Sequence, residues 1–202
     1  IVGLDINENN PHFQTAMARM QQIREERNNQ MVARMQVAGV DITLEKLHAK
    51  EGIGVLTRAN FAGYLLSVGF VKSIKEAFDR YLGDGKPFYI PRTKTSPKEA
   101  IELIKQADGI PVLAHPMLYK LGKNTLVKYV KMMTDWGLEA MEVYYSTNTP
   151  SDDLYLRHLA NHYHLKYSGG SDFHGTYKPH IQIGTGKGRL VVPYDILEKL
   201  RA

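Results

Sequence analysis

Apolar positions recur at helical spacing over the first third of the chain. From Phe13 onward they share one face and predict a long helix that ends near Gly39; the members are Met17, Met20, Ile23, Met31 and Met35. Shorter helices are predicted at 44–50, 58–68 and 74–82, with Thr43, Thr57 and Ser73 as their N-caps. Because no strand pattern interrupts this region, we expect residues 11–85 to form a small helical subdomain.

The pattern changes after residue 90. Ser96-Pro97-Lys98-Glu99 has the residues of a helix start, and the helix should run to about Ala107. Apolar strands are then predicted at 110–115, 140–145 and from Leu165, separated by helices at 125–136 and 152–164. This alternation predicts an α/β fold with parallel strands and helical crossovers. Further strands are predicted at 1–4 and 190–192, and a final helix from about Pro193.

Polar residues follow three successive strands of this prediction. His115 ends the first, Tyr145 the second, and Asp172 and His174 follow the third. Functional residues of α/β folds collect at the carboxyl ends of their strands, so we expect these side chains to converge. Asp172 and His174 are two residues apart, and an extended backbone would point both the same way.

A carboxylate and two imidazoles suit a divalent metal ion. Three protein ligands would leave positions for water, whose pKa a bound metal lowers towards neutrality. The simpler alternative is that His115 is an ordinary core histidine, while Asp172 caps a turn beside a locally packed His174.

Two groups of cationic side chains could either bind phosphate or simply lie exposed to solvent. Arg92 and Lys94, on an extended segment, are able to hold a phosphate, although surface cations are common. The polar run 24–29 of the long helix is predicted to be a solvated face, with Arg24 or Arg27 reaching a phosphate as the weaker alternative. The histidines at 158, 162 and 164 are predicted to lie on the surface.

The composition of the chain excludes several classes of protein and of binding site. The chain has 202 residues, 43% of them hydrophobic, which argues against wholesale disorder. It has no cysteine, which excludes disulfides, thiolate zinc sites and cysteine nucleophiles and fits the cytoplasm. No apolar run approaches the roughly 20 residues of a membrane helix, so no membrane partner is expected. The net charge of +5 favours phosphate partners or simply solubility, with comparable weight.

The motif Ala114-His115-Pro116, followed by Gly170-Ser171-Asp172-Phe173-His174-Gly175, resembles the last two metal motifs of the PHP (polymerase and histidinol phosphatase) family. The segments 24–28, 76–82, 89–92 and 142–145 are also similar to that family. The closest likeness is to its stand-alone bacterial phosphoesterases, which act on 3′,5′-nucleoside bisphosphates and on the 5′ ends of short RNAs.

This resemblance implies a distorted seven-stranded β/α barrel, with residues 1–10 and 91–202 in the barrel and 11–90 as an inserted helical subdomain. It implies two or three divalent metal ions (manganese, zinc or iron). His115, Asp172 and His174 would be the metal-binding catalytic residues. Arg92 and Lys94 would contact the substrate phosphate, with Arg58 as a further candidate.

The chain departs from the family pattern at its start. The opening H-x-H strand and the other early metal motifs are absent, together with the N-terminal barrel strands. We therefore expect weak metal affinity and no normal turnover from these residues alone. Open sheet edges near residue 1 and at 166–171 would be covered by an oligomer or by a missing N-terminal segment. Asn60 stands where relatives often have histidine.

Three alternatives stay open at this point. Within the same family, the chain resembles histidinol phosphatase or a polymerase-associated exonuclease less well, because neither explains the inserted helices. A different class is a non-catalytic remnant that binds nucleotides or RNA through the fold and the basic surface, without metals.

Overall fold

The computed structural model describes residues 1–51, 54–175 and 180–202. The chain divides into two compact units. One comprises residues 1–15 and 95–202, and we call it the α/β unit. The other comprises residues 16–94, and we call it the helical unit.

The α/β unit is built on a four-stranded mixed sheet. Its strands, adjacent in the order of the chain, are β1 (Val2–Leu4), β2 (Ile110–Leu113), β3 (Ala140–Tyr145) and β4 (Lys166–Gly170). β2, β3 and β4 are parallel, as the alternation predicts, whereas β1 pairs antiparallel with β2. The seven-stranded barrel is not seen in the three described stretches of chain, so only the coarser α/β prediction is confirmed.

Helices account for most of the remaining regular structure. In chain order they are α1 (Pro11–Val37), α2 (Leu44–Glu51), α3 (Arg58–Ser67), α4 (Ile74–Ala77), α5 (Pro97–Gln106), α6 (Lys123–Asp135), α7 (Pro150–His162) and α8 (Tyr194–Arg201). A π-helical turn, Phe78–Leu82, continues α4, and a 3-10 turn, Pro116–Tyr119, follows β2. Among the described residues, no helix is long and apolar enough to cross a membrane.

The helical unit has a core of its own. Its fully buried helical members come from α1, α2, α3, α4 and the π-helical turn, and they include Met31, Met35, Leu47, Phe61 and Leu82. The predicted methionine face is therefore right for the second half of α1. It is wrong for the first half, where Met20 is 36% exposed, because the core of this unit packs only against the later turns.

The α/β unit packs α5, α6 and α7 against the parallel strands. Leu113, Met141 and Val143 from the sheet meet Ile101, Val130 and Leu156 from the helices. The strand predicted at 190–192 is wrong: that segment has no strand structure, and Val191 is 74% exposed. Three apolar residues imitate a strand in sequence, but a strand requires a neighbour with which to pair.

The start of α5 offers a test of local stability. Ser96 accepts a hydrogen bond from the Glu99 N–H (3.2 Å), and the Glu99 carboxylate accepts one from the Ser96 N–H (2.7 Å). We expect Ser96→Ala to lower the free energy of unfolding by about 1 kcal/mol, because one amide of the first turn loses its acceptor. Urea denaturation checks this, with Ser96→Asp as the control that keeps an acceptor. Equal stability of Ser96→Ala and the parent would contradict it.

Candidate functional site

His115 follows β2 in an unusual backbone conformation. Its φ of 34° and ψ of 56° lie in the left-handed region, which residues other than glycine seldom adopt. Its backbone N–H donates a hydrogen bond of 2.7 Å to Oε2 of Glu142. The carboxylate on β3 therefore holds the turn that places the imidazole at the end of β2.

Glu142 is a carboxylate within an otherwise apolar strand. Its neighbours Met141 and Val143 are completely buried. Burial raises the pKa of Glu142 to about 7; the hydrogen bond from the His115 N–H lowers it, and the charge of Asp172 raises it further. Gly170 on β4 makes room for this side chain, since a Cβ there would lie 2.8 Å from Oε1 of Glu142.

Asp172 is positioned by the end of β3. The Tyr145 hydroxyl donates a 2.8 Å hydrogen bond to Oδ2 of Asp172. One residue earlier, the Ser171 carbonyl accepts a 2.6 Å bond from the Ser146 hydroxyl. Burial raises the pKa of Tyr145, and so do the hydrogen bond to Asp172 and the charges of Asp172 and Glu142. The loop after β4 is thus tied to the loop after β3 at two points.

His174 lies against Asp172. Its Nδ1 is 2.7 Å from the Asp172 carbonyl oxygen and 3.5 Å from Oδ1 of the same residue. A carbonyl oxygen only accepts, so Nδ1 is the donor of this hydrogen bond, and Nε2 is the nitrogen that the neutral ring has available for a metal ion. The predicted extended backbone is wrong, because φ of Asp172 is 58°. The two side chains meet through this left-handed turn instead.

The imidazole of His115 packs between two tyrosines. Its ring centroid is 5.7 Å from that of Tyr145 and 6.0 Å from that of Tyr119. Its Nδ1 is buried and has no hydrogen-bond partner in the described part of the chain. A buried polar atom without a partner is costly, and a metal ion is one group that would satisfy it.

The three predicted strand ends are therefore linked through intermediate residues. Contacts among Glu142, Tyr145 and Asp172 link His115 to His174, and the donor types fit a divalent metal ion. However, within residues 1–51, 54–175 and 180–202 no three carboxylate or imidazole groups are arranged so that they could hold a metal ion. The roles of His115, Asp172 and His174 as metal-binding catalytic residues stay a prediction.

The predicted substrate contacts lie in the helical unit. Arg92 and Lys94 are exposed on the segment after residue 90. Nη1 of Arg58 donates to Asp84 Oδ1 (2.8 Å) and to the Leu82 carbonyl (3.3 Å). The roles of these three cations in phosphate binding also stay a prediction.

Asn60, where relatives often have histidine, has a structural role. Its Oδ1 accepts hydrogen bonds from the Thr57 N–H (2.8 Å) and the Thr57 hydroxyl (2.7 Å). It thereby completes the cap of α3 and is 9% exposed. The departure from the family pattern at this position thus leaves the start of α3 intact.

Three polar residues inside the protein are not predicted from the sequence. Glu142 is quoted only within a motif, although a partly buried carboxylate in an otherwise apolar strand is itself a sign of function. The prediction of a solvated face for Arg27 and Asn28 is wrong, because they are 6% and 4% exposed. The segment 87–90, which packs near them, could not be placed from the helical pattern of α1 alone.

Comparison with known proteins gives relatives along nearly the whole chain. It is 33% identical over 184 residues to the 5′-3′ exoribonuclease Rnm of Escherichia coli, covering 91% of this chain and 62% of the relative. It is 29% identical over 175 residues to the 3′,5′-nucleoside bisphosphate phosphatase of Chromobacterium violaceum, covering 86% and 61%. The chain thus spans less than two thirds of the length of these relatives. No protein-family model matches it.

Solved structures that resemble this chain include the same class of protein as these relatives. A protein of Bifidobacterium adolescentis described as a metal-dependent phosphoesterase superimposes with a TM-score of 0.72 at 27% identity, covering 96% of this chain and 68% of the other. An amidohydrolase of Chromobacterium violaceum, with bound sulfate and no metal, gives a TM-score of 0.66 at 28% identity, covering 85% and 61%. The resemblance to PHP-type phosphoesterases is therefore confirmed.

The raised pKa of Glu142 predicts how stability depends on pH when metal is chelated. Between its ordinary value of 4.5 and about 7, the folded chain keeps the proton that the unfolded chain releases. The stability contributed by that proton is present below 4.5 and is lost as pH rises through about 7. We expect this effect to reach at most about 3 kcal/mol.

Glu142→Gln cannot ionise and its Oε1 can still accept from the His115 N–H. It should therefore be more stable than the parent at pH 8 and differ little at pH 4. Urea denaturation with a chelator at both pH values measures this. Glu102→Gln on the exposed face of α5 is the control and should show no such gain. A parallel pH dependence of Glu142→Gln and the parent would rule out the interpretation.

Proposed function

We propose that this chain, a relative of PHP-type metal-dependent phosphoesterases, carries part of a phosphoesterase site. The substrates would be phosphate monoesters of nucleotides, above all 3′,5′-bisphosphates, or the 5′ ends of short RNAs. The observation that carries the proposal is the buried Nδ1 of His115, which has no hydrogen-bond partner among the described residues. Its strand end is linked through Glu142 and Tyr145 to Asp172 and His174.

These three residues would hold the metal ion. Nδ1 of His115, a carboxylate oxygen of Asp172 and Nε2 of His174 are the donor atoms. A divalent metal bound there would supply a Lewis acid for the phosphoryl oxygen and would lower the pKa of water to generate a nucleophile. Whether that metal is manganese, zinc or iron does not change which donors this chain supplies.

The residues behind the donors hold them in place. Glu142 fixes the backbone of His115, and the Tyr145 hydroxyl fixes one oxygen of Asp172. The Asp172 carbonyl fixes the tautomer of His174 by accepting from Nδ1. Such outer contacts orient metal ligands. Their removal typically lowers metal affinity or activity by about 10–100-fold.

Phosphate recognition would rest on cations. Arginine binds phosphate through two parallel hydrogen bonds, and lysine binds it as a point charge. Arg92 and Lys94 are exposed and are therefore able to reach a ligand, and Arg58 is the further candidate. The names of the relatives support nucleotides and RNA as the source of the phosphate.

The proposal is tested by phosphate release from adenosine 3′,5′-bisphosphate in the presence of Mn²⁺. We expect slow release by this chain, because no complete metal site is formed among its described residues, and loss of release on chelation. Asp172→Asn removes a charged ligand and should lower the rate by at least about 100-fold. A 5′-phosphorylated short RNA, assayed in parallel, decides between the two substrate classes.

His158→Ala is the matched control, because this histidine lies exposed on α7. It should release phosphate at the parental rate. Release that survives both chelation and Asp172→Asn would show that another site, or a contaminant, performs the reaction. Calorimetric titration with Mn²⁺ provides a second measurement, in which His115→Ala should bind more weakly than His158→Ala.

A further inference from the structure

A closed turn, which we call the glycine turn, is formed by residues 182–188 of the α/β unit. The Gln182 N–H donates a hydrogen bond to the Gly186 carbonyl (2.8 Å), and the Gly186 N–H donates one to the Gln182 carbonyl (2.9 Å). The Thr185 carbonyl accepts a further bond from the Gly188 N–H (2.8 Å). Because its backbone groups are paired with one another, the glycine turn keeps its shape without help from side chains.

Gly186 brings the glycine turn into direct contact with the loop after β3. It is buried, and its φ of 60° lies in the left-handed region. A Cβ at this position would overlap Oγ of Ser146 and would lie 2.9 Å from its Cβ. Such separations are shorter than van der Waals contact, so a residue other than glycine fits here only if Ser146 or the turn moves.

The other two glycines of the turn make no such contact. Gly184 (φ 79°) and Gly188 (φ 89°) are also left-handed, but a Cβ on either would have no neighbouring atom of the described chain within 4 Å. The left-handed backbone is therefore common to all three glycines, whereas the close approach to a neighbour belongs to Gly186. Gly184 thus offers a matched control for the effect of the backbone alone.

Ser146 restricts the start of the loop after β4. Its hydroxyl donates a 2.6 Å hydrogen bond to the Ser171 carbonyl. That carbonyl and the Asp172 nitrogen belong to one planar peptide group, so a bond that fixes the carbonyl also restricts φ of Asp172. This φ is 58°, which a residue with a Cβ adopts only at a cost. The Ser146 hydroxyl therefore helps to hold Asp172 in its left-handed turn.

A side chain at position 186 would disturb this bond. Rotation of the Ser146 hydroxyl would remove the overlap with Oγ, but it would break the bond to Ser171 and leave the 2.9 Å contact with the Ser146 Cβ. The turn is also held further along the chain, since Cγ2 of Val192 lies only 2.8 Å from where a Cβ of Gly169 would be. Because the segment after the turn packs this closely on β4, we expect Ser146 to move.

We propose that Gly186 is a positioning residue for the candidate metal site. By letting the glycine turn pack directly on Ser146, it keeps the Ser146 hydroxyl on the Ser171 carbonyl and thereby fixes the backbone of Asp172. His174 follows, because its Nδ1 lies 2.7 Å from the Asp172 carbonyl oxygen. The inference rests on the proposed function in one respect, since it takes Asp172 and His174 to be metal ligands.

The test compares Gly186→Ala with Gly184→Ala in the whole chain. Both variants put a Cβ on a left-handed backbone, so both should be less stable than the parent in urea denaturation. Gly186→Ala should in addition weaken Mn²⁺ binding by about tenfold, the lower end of the effect of removing outer contacts from metal ligands. Gly184→Ala should bind Mn²⁺ like the parent. Calorimetric titration measures the affinities.

Ser146→Ala tests the route through the hydroxyl. It removes the bond to Ser171 without adding an atom, so it should weaken Mn²⁺ binding to a similar degree even if Gly186→Ala does not fold. When Gly186→Ala is added to Ser146→Ala, binding should weaken further by less than about threefold, because both changes act on the same bond. Additive effects of the two changes, or Mn²⁺ affinity of Gly186→Ala equal to that of Gly184→Ala, would overturn the inference.

A measurement without metal separates this inference from the proposed function. In NMR spectra of chelator-treated protein, the amide signals of Asp172 and His174 should shift in Gly186→Ala and Ser146→Ala and stay in place in Gly184→Ala. This pattern, in a parent that does not bind Mn²⁺, would support the positioning role and count against the proposed metal site. Mn²⁺ binding that Gly186→Ala leaves unchanged would reject the positioning role and leave the proposed function standing.

Discussion

The arrangement of the α/β unit depends on one hydrogen bond, from the backbone N–H of His115 to the carboxylate of Glu142 (2.7 Å). A left-handed backbone costs roughly 1–2 kcal/mol for a residue with a Cβ, and a charge-assisted hydrogen bond is strong enough to offset it. The bond ties the end of β2 to β3. Tyr145, three residues after Glu142, then reaches Asp172, so that one strand positions residues on both of its neighbours.

The sequence predicts the elements of this fold well because their patterns are local. The cap Ser96 with Glu99 and the apolar strand at 140–145 are found as predicted, and the strand predicted at 110–115 is found two residues shorter, at 110–113. The features that the sequence does not predict depend on partners that are distant along the chain. Whether Val2–Leu4 runs parallel or antiparallel to β2, and whether residues 190–192 find a strand to pair with, is decided by tertiary contacts that no local pattern encodes.

The candidate site was likewise predictable from the sequence only where it depends on local patterns. The positions of His115, Asp172 and His174 follow from strand ends, which the apolar pattern locates. Their geometry does not follow, because it depends on left-handed turns at His115 and Asp172 that alternation along a strand does not predict. The predicted solvent exposure of Arg27 is wrong for a related reason. Charged residues in a helix are normally solvated, and only the segment ending in Ile90 buries this one.

Each of the two units contains an arrangement of charge that is unfavourable in the protein alone. In the α/β unit, burial and the charge of Asp172 raise the pKa of Glu142, which describes a place where additional positive charge is favourable. In the helical unit, burial and, after it, the charges of neighbouring guanidinium groups lower the pKa of Arg27, which indicates that additional negative charge would be favourable there. Folding alone gives neither arrangement an advantage, since each raises the free energy of the protein without a ligand. Added positive charge would relieve the first arrangement and added negative charge the second, so each is more simply explained by binding than by stability.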